Sequence, residues 1–204
     1  MAYNSMWYES HMSSDMCQYL IHDFAKAEID AGQASTLTSE IGEVKAPHIP
    51  KLRDATVSWI QEDHWIQGFL WHHVQKANYI NWKYDIVGFE RGSIQLSSYG
   101  PHQHYSWHND VSIDNMYGGE TPRPEHPREE LIRKLSISLF LTTAGEDHEG
   151  GEFQLMTSPR SMKSWPAVRG SMVIFDSSMT HRVRPVKSGT RISIVGWAVG
   201  PRWR

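Results

Sequence analysis

One cysteine, Cys17, stands in 204 residues, so no internal disulfide can form and the chain suits a reducing compartment. Positive charge is also short. Lys and Arg number 20 against 23 Asp and Glu, a formal net charge of -3, which denies the chain the overall basic field that draws proteins to phosphate backbones or anionic lipid. Nucleic acid is therefore not expected as the main partner, and neither is a membrane, because no apolar run approaches the length that crosses a bilayer. The first Lys or Arg is Lys26 and no long apolar run precedes it, so no secretory leader is expected. The expectation is a soluble, cytoplasmic protein of one domain spanning residues 1–204.

Two helices are predicted near the start. Residues 13–30, "SSDMCQYLIHDFAKAEID", open on a Ser/Asp cluster able to cap a helix and repeat Met16, Leu20 and Phe24 at fourfold spacing. Residues 31–54 read as loop with one short strand. Over 62–78, Ile66, Phe69, Leu70, His73, Val74 and Ala77 form an apolar stripe that predicts a second helix. From residue 82 onward the segments become short, β-branched and aromatic, as in "RKLSISLFLT" (133–142), where Leu135, Ile137, Leu139 and Leu141 alternate with Lys134, Ser136 and Ser138. A sandwich, jelly roll or barrel over about 82–199, with a helical part over about 1–80 packed outside it, is the predicted fold. Residues 111–130 break the pattern, being polar and aperiodic with three prolines; a lid over Asp110 and a solvated insertion are both open readings.

Chemistry concentrates in "YGPHQHYSWHND" (99–110). His108 and Asp110 are two apart, which in extended chain puts an imidazole and a carboxylate on one face, a donor pair suited to Fe(II), Mn(II) or Zn(II). Downstream, residues 170–197 read as strand, polar turn, a strand opened by His181, a turn at Ser188-Gly189 and a strand from Arg191. Arg191, Ser193 and Val195 share one face of that last strand. A guanidinium amid so much apolar sequence requires an anion.

His108-x-Asp110, distal His181, Arg191 ten positions later and Ser193 two beyond it resemble the non-haem Fe(II)/2-oxoglutarate-dependent dioxygenases, and within them the prolyl 4-hydroxylase-like group that includes the PKHD-type hydroxylases. The blocks "IQLSSYGPHQHYSWHND", "LSISLFLTTAGEDHEGGEFQL" and "GSMVIFDSSMTHRVRPVKSGTRISIVGW" carry the likeness in the family's order, which covers roughly residues 52–199. The resemblance implies a double-stranded β-helix, or jelly roll, mainly β with flanking α. It implies His108, Asp110 and His181 as ligands of Fe(II), Arg191 and Ser193 holding the distal carboxylate of 2-oxoglutarate, and Tyr99 contacting that cosubstrate, with a core aromatic as the other reading of Tyr99. The implied reaction consumes O2, releases succinate and CO2 and hydroxylates a C–H bond, with ascorbate allowed as accessory reductant. A prolyl or other peptidyl residue is the implied substrate; a free amino acid or small metabolite fits the same iron core.

The remaining histidines and neighbours divide as follows. Tyr105, Trp107 and His104 are candidates for the substrate pocket, although strand alternation points Trp107 away from the metal. His102 and His104 read as pocket-rim or loop residues; a local zinc set of His102, His104 and His108 would ignore Asp110, His181 and Arg191. His72 and His73 cannot share a helix face and read as surface plus core. His64, His126, His148, Lys134 and Arg182 are expected to be solvated, and Gly150-Gly151 to serve a tight turn. Three rivals remain in view: a halogenase, against which Asp110 argues; a base-demethylating oxygenase, for which a basic face is missing; and a non-catalytic jelly-roll module, which has no need of Arg191.

Overall fold

The computed structural model describes residues 3–31, 40–41, 44–45, 52–111 and 131–201. The chain begins with β1 (Ser5–Tyr8), α1 (Ser14–Ala31), the small pair β2 (Glu40–Ile41) and β3 (Val44–Lys45), β4 (Arg53–Asp54), β5 (Thr56–Trp59) and α2 (Ile66–Ala77), which runs into a π-helical turn over Asn78–Trp82. There follow β6 (Gly88–Phe89), β7 (Gln95–Tyr99), β8 (His104–His108), β9 (Leu131–Phe140), β10 (His148–Gly150), β11 (Phe153–Ser158) and β12 (Ser161–Trp165). The last four strands are β13 (Met172–Asp176), β14 (His181–Val183), β15 (Val186–Gly189) and β16 (Arg191–Pro201). Most of the expected lid at 111–130, and His126 with it, lie outside the described residues.

Two antiparallel sheets form a jelly roll. The larger has the order β1-β13-β9-β16-β7-β5, with β6 also on β16, and the smaller β12-β11-β14-β8-β4. One face of the larger sheet buries Leu135, Leu139, Ile174 and Ile194 against Leu20 of α1 and Ile66, Leu70 and Val74 of α2. Each such side chain contributes roughly 1.5–3 kcal/mol of burial, which fixes the helices outside the sheet. The other face looks toward the smaller sheet, where Phe140, Val173 and Phe175 meet Phe153, Leu155 and Trp165. No described helix is long and apolar enough to cross a membrane.

Several expectations need correction. The part before residue 82 is not only helical: β1 pairs with β13 and β5 with β7, so both become edge strands of the larger sheet. The π-helical turn leaves α2 to end at Ala77, and α2 starts at Ile66 rather than 62, where His64 Nδ1 accepts the Ile66 N–H at 3.2 Å. His64 is accordingly half-buried, its ring tilted on Phe24 and its Nε2 3.6 Å from Asp23. Lys134 and His148 are buried, not solvated. Burial lowers the pKa of the Lys134 amine, and the carboxylate of Asp85 opposes that. Arg182 is half-buried, donating to Gln154 Oε1 at 2.7 Å and lying over the Trp107 ring. His72 and His73 divide as surface and core.

Gly170 ties α1 to the sheet turn. Its φ is +79°, and a Cβ there would stand 1.9 Å from the Met12 carbonyl oxygen. Gly170→Ala is expected to cost about 2 kcal/mol or more of unfolding free energy in urea denaturation. Gly68, exposed inside α2, is the opposite case, because a Cβ there would meet no atom within 4 Å. In the same measurement Gly68→Ala should add about 0.5–1 kcal/mol.

Candidate metal centre and cosubstrate pocket

Strand register brings the distant donors together. In the β14–β8 pair His181 stands opposite His108, and their ring centroids are 4.1 Å apart. Asp110 follows just beyond β8, held by its own N–H on the Ser177 carbonyl at 2.9 Å. Its Oδ1 lies 3.6 Å from His108 Nε2 and its Oδ2 3.5 Å from His181 Nε2. These donor atoms all fall within 4.8 Å of one another, and the three residues form the one such group of His, Cys, Asp or Glu among the described residues. A one-residue slip of either strand would turn an imidazole to the opposite face.

Both imidazoles are set for ligation. His108 Nδ1 sits 2.7 Å from the Ser106 carbonyl and His181 Nδ1 2.9 Å from the Met179 carbonyl. A carbonyl only accepts, so each Nδ1 carries the proton and each Nε2 presents a lone pair inward. Burial, reinforced by the His181 imidazole, pushes the His108 pKa down against the pull of Asp110. For Asp110 burial acts to raise the pKa, but His181, His108 and the Ser136 hydroxyl outweigh it and hold the carboxyl below its ordinary range. Ser136 Oγ donates to Asp110 Oδ2 at 2.6 Å and stands 2.9 Å from Ser177 Oγ. One carboxylate oxygen is thereby tethered, and the other is left as the freer donor.

Beside this cluster a pocket opens between the sheets, and Arg191 lies on its wall. The guanidinium is 1% exposed, donates from Nη1 to Ser193 Oγ at 3.0 Å and keeps Nε buried with no partner. Tyr99, its register partner on β7, places a ring 5.4 Å from it, and Phe140 another at 5.3 Å. Burial lowers the Arg191 pKa to about 10, still leaving the group charged at neutral pH. No described carboxylate pairs with it. Gly151, at φ +69°, lets the turn pass so close that a Cβ would meet Arg191 Cδ at 2.9 Å, so this glycine also shapes the arginine's seat. A buried, unpaired guanidinium is costly unless an anion arrives, and a dicarboxylate supplies one.

A bulge decides which neighbours face inward. The register shifts between His181 and Val183, which pair with His108 and Tyr105 respectively. That irregularity turns Tyr105 onto the same side as His108, with ring centroids 3.5 Å apart. Tyr105 therefore lines the cavity, whereas His104 and Trp107, expected at the substrate pocket, do not. Neither His102 nor His104 joins the donor cluster, so the three-histidine zinc alternative is not assembled. Ser136, Ser177 and Arg53 were not singled out from sequence. The polar face of β9 was visible as a serine alternation, but nothing local told a site-facing serine from a solvated one.

The comparisons agree with this geometry. Residues 94–199 match the model of the 2OG-Fe(II) oxygenase superfamily, so the chain belongs to that superfamily. A PKHD-type hydroxylase of Crocosphaera subtropica is 35% identical over 105 residues, covering 52% of this chain and 41% of the relative; the match thus spans under half of that relative's length. A prolyl-4-hydroxylase of Pseudomonas putida superposes with a TM-score of 0.69 at 18% identity, over 98% of this chain and 94% of that one. The viral collagen prolyl hydroxylase of Paramecium bursaria Chlorella virus-1, solved with 2-oxoglutarate, gives 0.66 at 18% identity, over 97% of each chain. The fold is theirs. Two imidazole lone pairs, one carboxylate and an anion-seeking arginine in one cavity fit Fe(II) with 2-oxoglutarate as cosubstrate.

Ser136→Ala removes the tether on Asp110 without removing a donor. Mn(II) binding to the variant, measured by electron paramagnetic resonance titration, is expected to weaken by about tenfold, and Ser136→Thr should restore most of it.

Proposed function

We propose that this chain is an Fe(II)- and 2-oxoglutarate-dependent dioxygenase that hydroxylates a C–H bond, with His108, Asp110 and His181 as metal ligands. Arg191 takes the distal carboxylate of 2-oxoglutarate in a two-pronged, charge-assisted contact, Ser193 adds a hydroxyl, and the Tyr99 ring packs along the guanidinium. The observation that carries the reading is that Arg191, buried and with no carboxylate beside it among the described residues, lines the same cavity as the three donors. A non-catalytic jelly-roll module would bear the cost of that buried charge with nothing to gain from it.

When bound, Fe(II) with 2-oxoglutarate and O2 supplies the oxidation that forms succinate and CO2 and places one oxygen atom on the substrate. This chain's residues supply position and dryness. The Nδ1–H contacts to Ser106 and Met179 fix the two imidazoles, and Ser136 fixes the carboxylate. Phe153, Phe175 and Trp197 on the cavity wall exclude water from the reacting C–H bond. The relatives named as prolyl hydroxylases support a prolyl or other peptidyl residue as substrate. A second reading, a carboxylate-bearing small molecule, is favoured by Arg53, whose guanidinium lines the same cavity. The single, buried Cys17, its thiol pKa pushed up to about 11 by burial, is compatible with a reducing cytoplasm.

Anaerobic addition of Fe(II) and 2-oxoglutarate should produce a visible charge-transfer band, and admission of air should yield succinate. His181→Ala is expected to lose both signals. Arg191→Ala should weaken 2-oxoglutarate binding by about a hundredfold or more, the scale of stripping a buried charge of its partner. A wild-type protein that binds zinc, gives no band and consumes no 2-oxoglutarate would establish the non-catalytic module instead.

A further inference from the structure

The cavity wall holds a second guanidinium besides the one assigned above to the cosubstrate. Arg53 comes from β4 of the smaller sheet, whereas Arg191 comes from β16 of the larger. Its Nη2 donates to Ser97 Oγ at 3.2 Å, which spans the gap between the sheets. Its Nε is buried with no hydrogen-bond partner. The guanidinium carbon lies 4.8 Å from the Tyr105 ring centroid, and Tyr105 in turn stacks on His108 at 3.5 Å, so the charge stands two stacking distances from a metal donor.

Charge balance then points to a ligand. Among the described residues lining the cavity, Asp110 is the one carboxylate, set against the two arginines. Fe(II) and the doubly charged 2-oxoglutarate cancel each other, and Asp110 offsets one guanidinium. One positive charge is left over. Arg191 is the deeper group and is matched by the cosubstrate, so the uncompensated charge is that of Arg53. A guanidinium on the cavity wall fits a planar carboxylate by two parallel N–H···O contacts, and the Ser97 hydroxyl holds Nη2 in place. A neutral peptide backbone would leave the charge unmatched.

We infer that Arg53 anchors a carboxylate of the substrate, and so that the molecule hydroxylated carries such a group close to the reacting C–H bond. This rests on the oxygenase reading above. The carboxylate has two sources: a free acid such as an amino acid, or an acidic side chain next to the target residue of a peptide. Tyr105, packed between Arg53 and His108, then faces the substrate and sets the distance between anchor and metal.

The test uses the whole protein loaded with Mn(II) and 2-oxoglutarate, titrated with matched acid and amide probes. One pair is N-acetyl-L-proline and N-acetyl-L-prolinamide; the other is acetyl-Glu-Pro-Glu-amide and acetyl-Gln-Pro-Gln-amide. Broadening of the probes' NMR signals by Mn(II) reports binding near the metal. The acid member of at least one pair is expected to bind about tenfold more tightly than its amide, as a charge-assisted contact implies. That ratio should fall toward one in Arg53→Gln and recover in part in Arg53→Lys, and the pair that shows it identifies the source. Equal binding of acid and amide in both pairs, no acid probe reaching the metal, or a preference that survives Arg53→Gln would overturn the inference. The anaerobic Fe(II) and 2-oxoglutarate band of the same wild-type preparation separates the two failures: with the band present only the Arg53 assignment falls, and with it missing the oxygenase reading falls first.

Discussion

The antiparallel pairing of β14 with β8 is the constraint from which the site follows. It sets His181 opposite His108 although 72 residues lie between them in the chain. Two backbone carbonyls then fix both tautomers, so each ring has one nitrogen occupied and one facing Asp110. Metal donors that must converge within a few ångströms need a rigid frame, and hydrogen-bonded strands supply one where loops would not. The bulge in the same pair has a second effect, since it turns Tyr105 inward and joins His108 to Arg53 through one stacked column.

Stability and function pull in opposite directions inside this cavity. The larger sheet buries leucines and isoleucines against the helices on one face, and that face holds the frame together. On the other face the same strands carry Ser136, Ser138, Ser193 and Arg191, all nearly inaccessible to water. A fold selected for stability alone would fill that space with apolar side chains, because unpaired buried charge is unfavourable by several kcal/mol. Retention of Arg191 there, with the half-buried Arg53 on the wall from the smaller sheet, is intelligible if anions are bound, and the apolar face across the sheet offsets what the polar face gives up.

How much of this could be read in the sequence depends on whether the signal was local. His108, Asp110, His181 and Arg191 announce themselves by residue type, spacing and order, and the alternating strands announce a jelly roll. The helices α1 and α2 show their apolar stripes. Other features are settled only by tertiary packing. The serines of β9 look like an ordinary solvated face, because alternation says which residues share a side and not what lies on it. Lys134 and His148 look solvated for the same reason and are buried. Tyr105 faces the cavity and His104 does not because a bulge, invisible in residue type, interrupts the alternation of β8. Arg53 sits in a two-residue strand with no pattern of its own, and its meaning comes from the sheet it joins.

The most direct test of the central claim is a crystal structure of the protein with Mn(II) and 2-oxoglutarate. The account predicts the metal within coordination distance of His108 Nε2, His181 Nε2 and one oxygen of Asp110, with the far carboxylate of 2-oxoglutarate on the guanidinium of Arg191. A metal held elsewhere, or an Arg191 paired to a carboxylate of the protein itself, would contradict it.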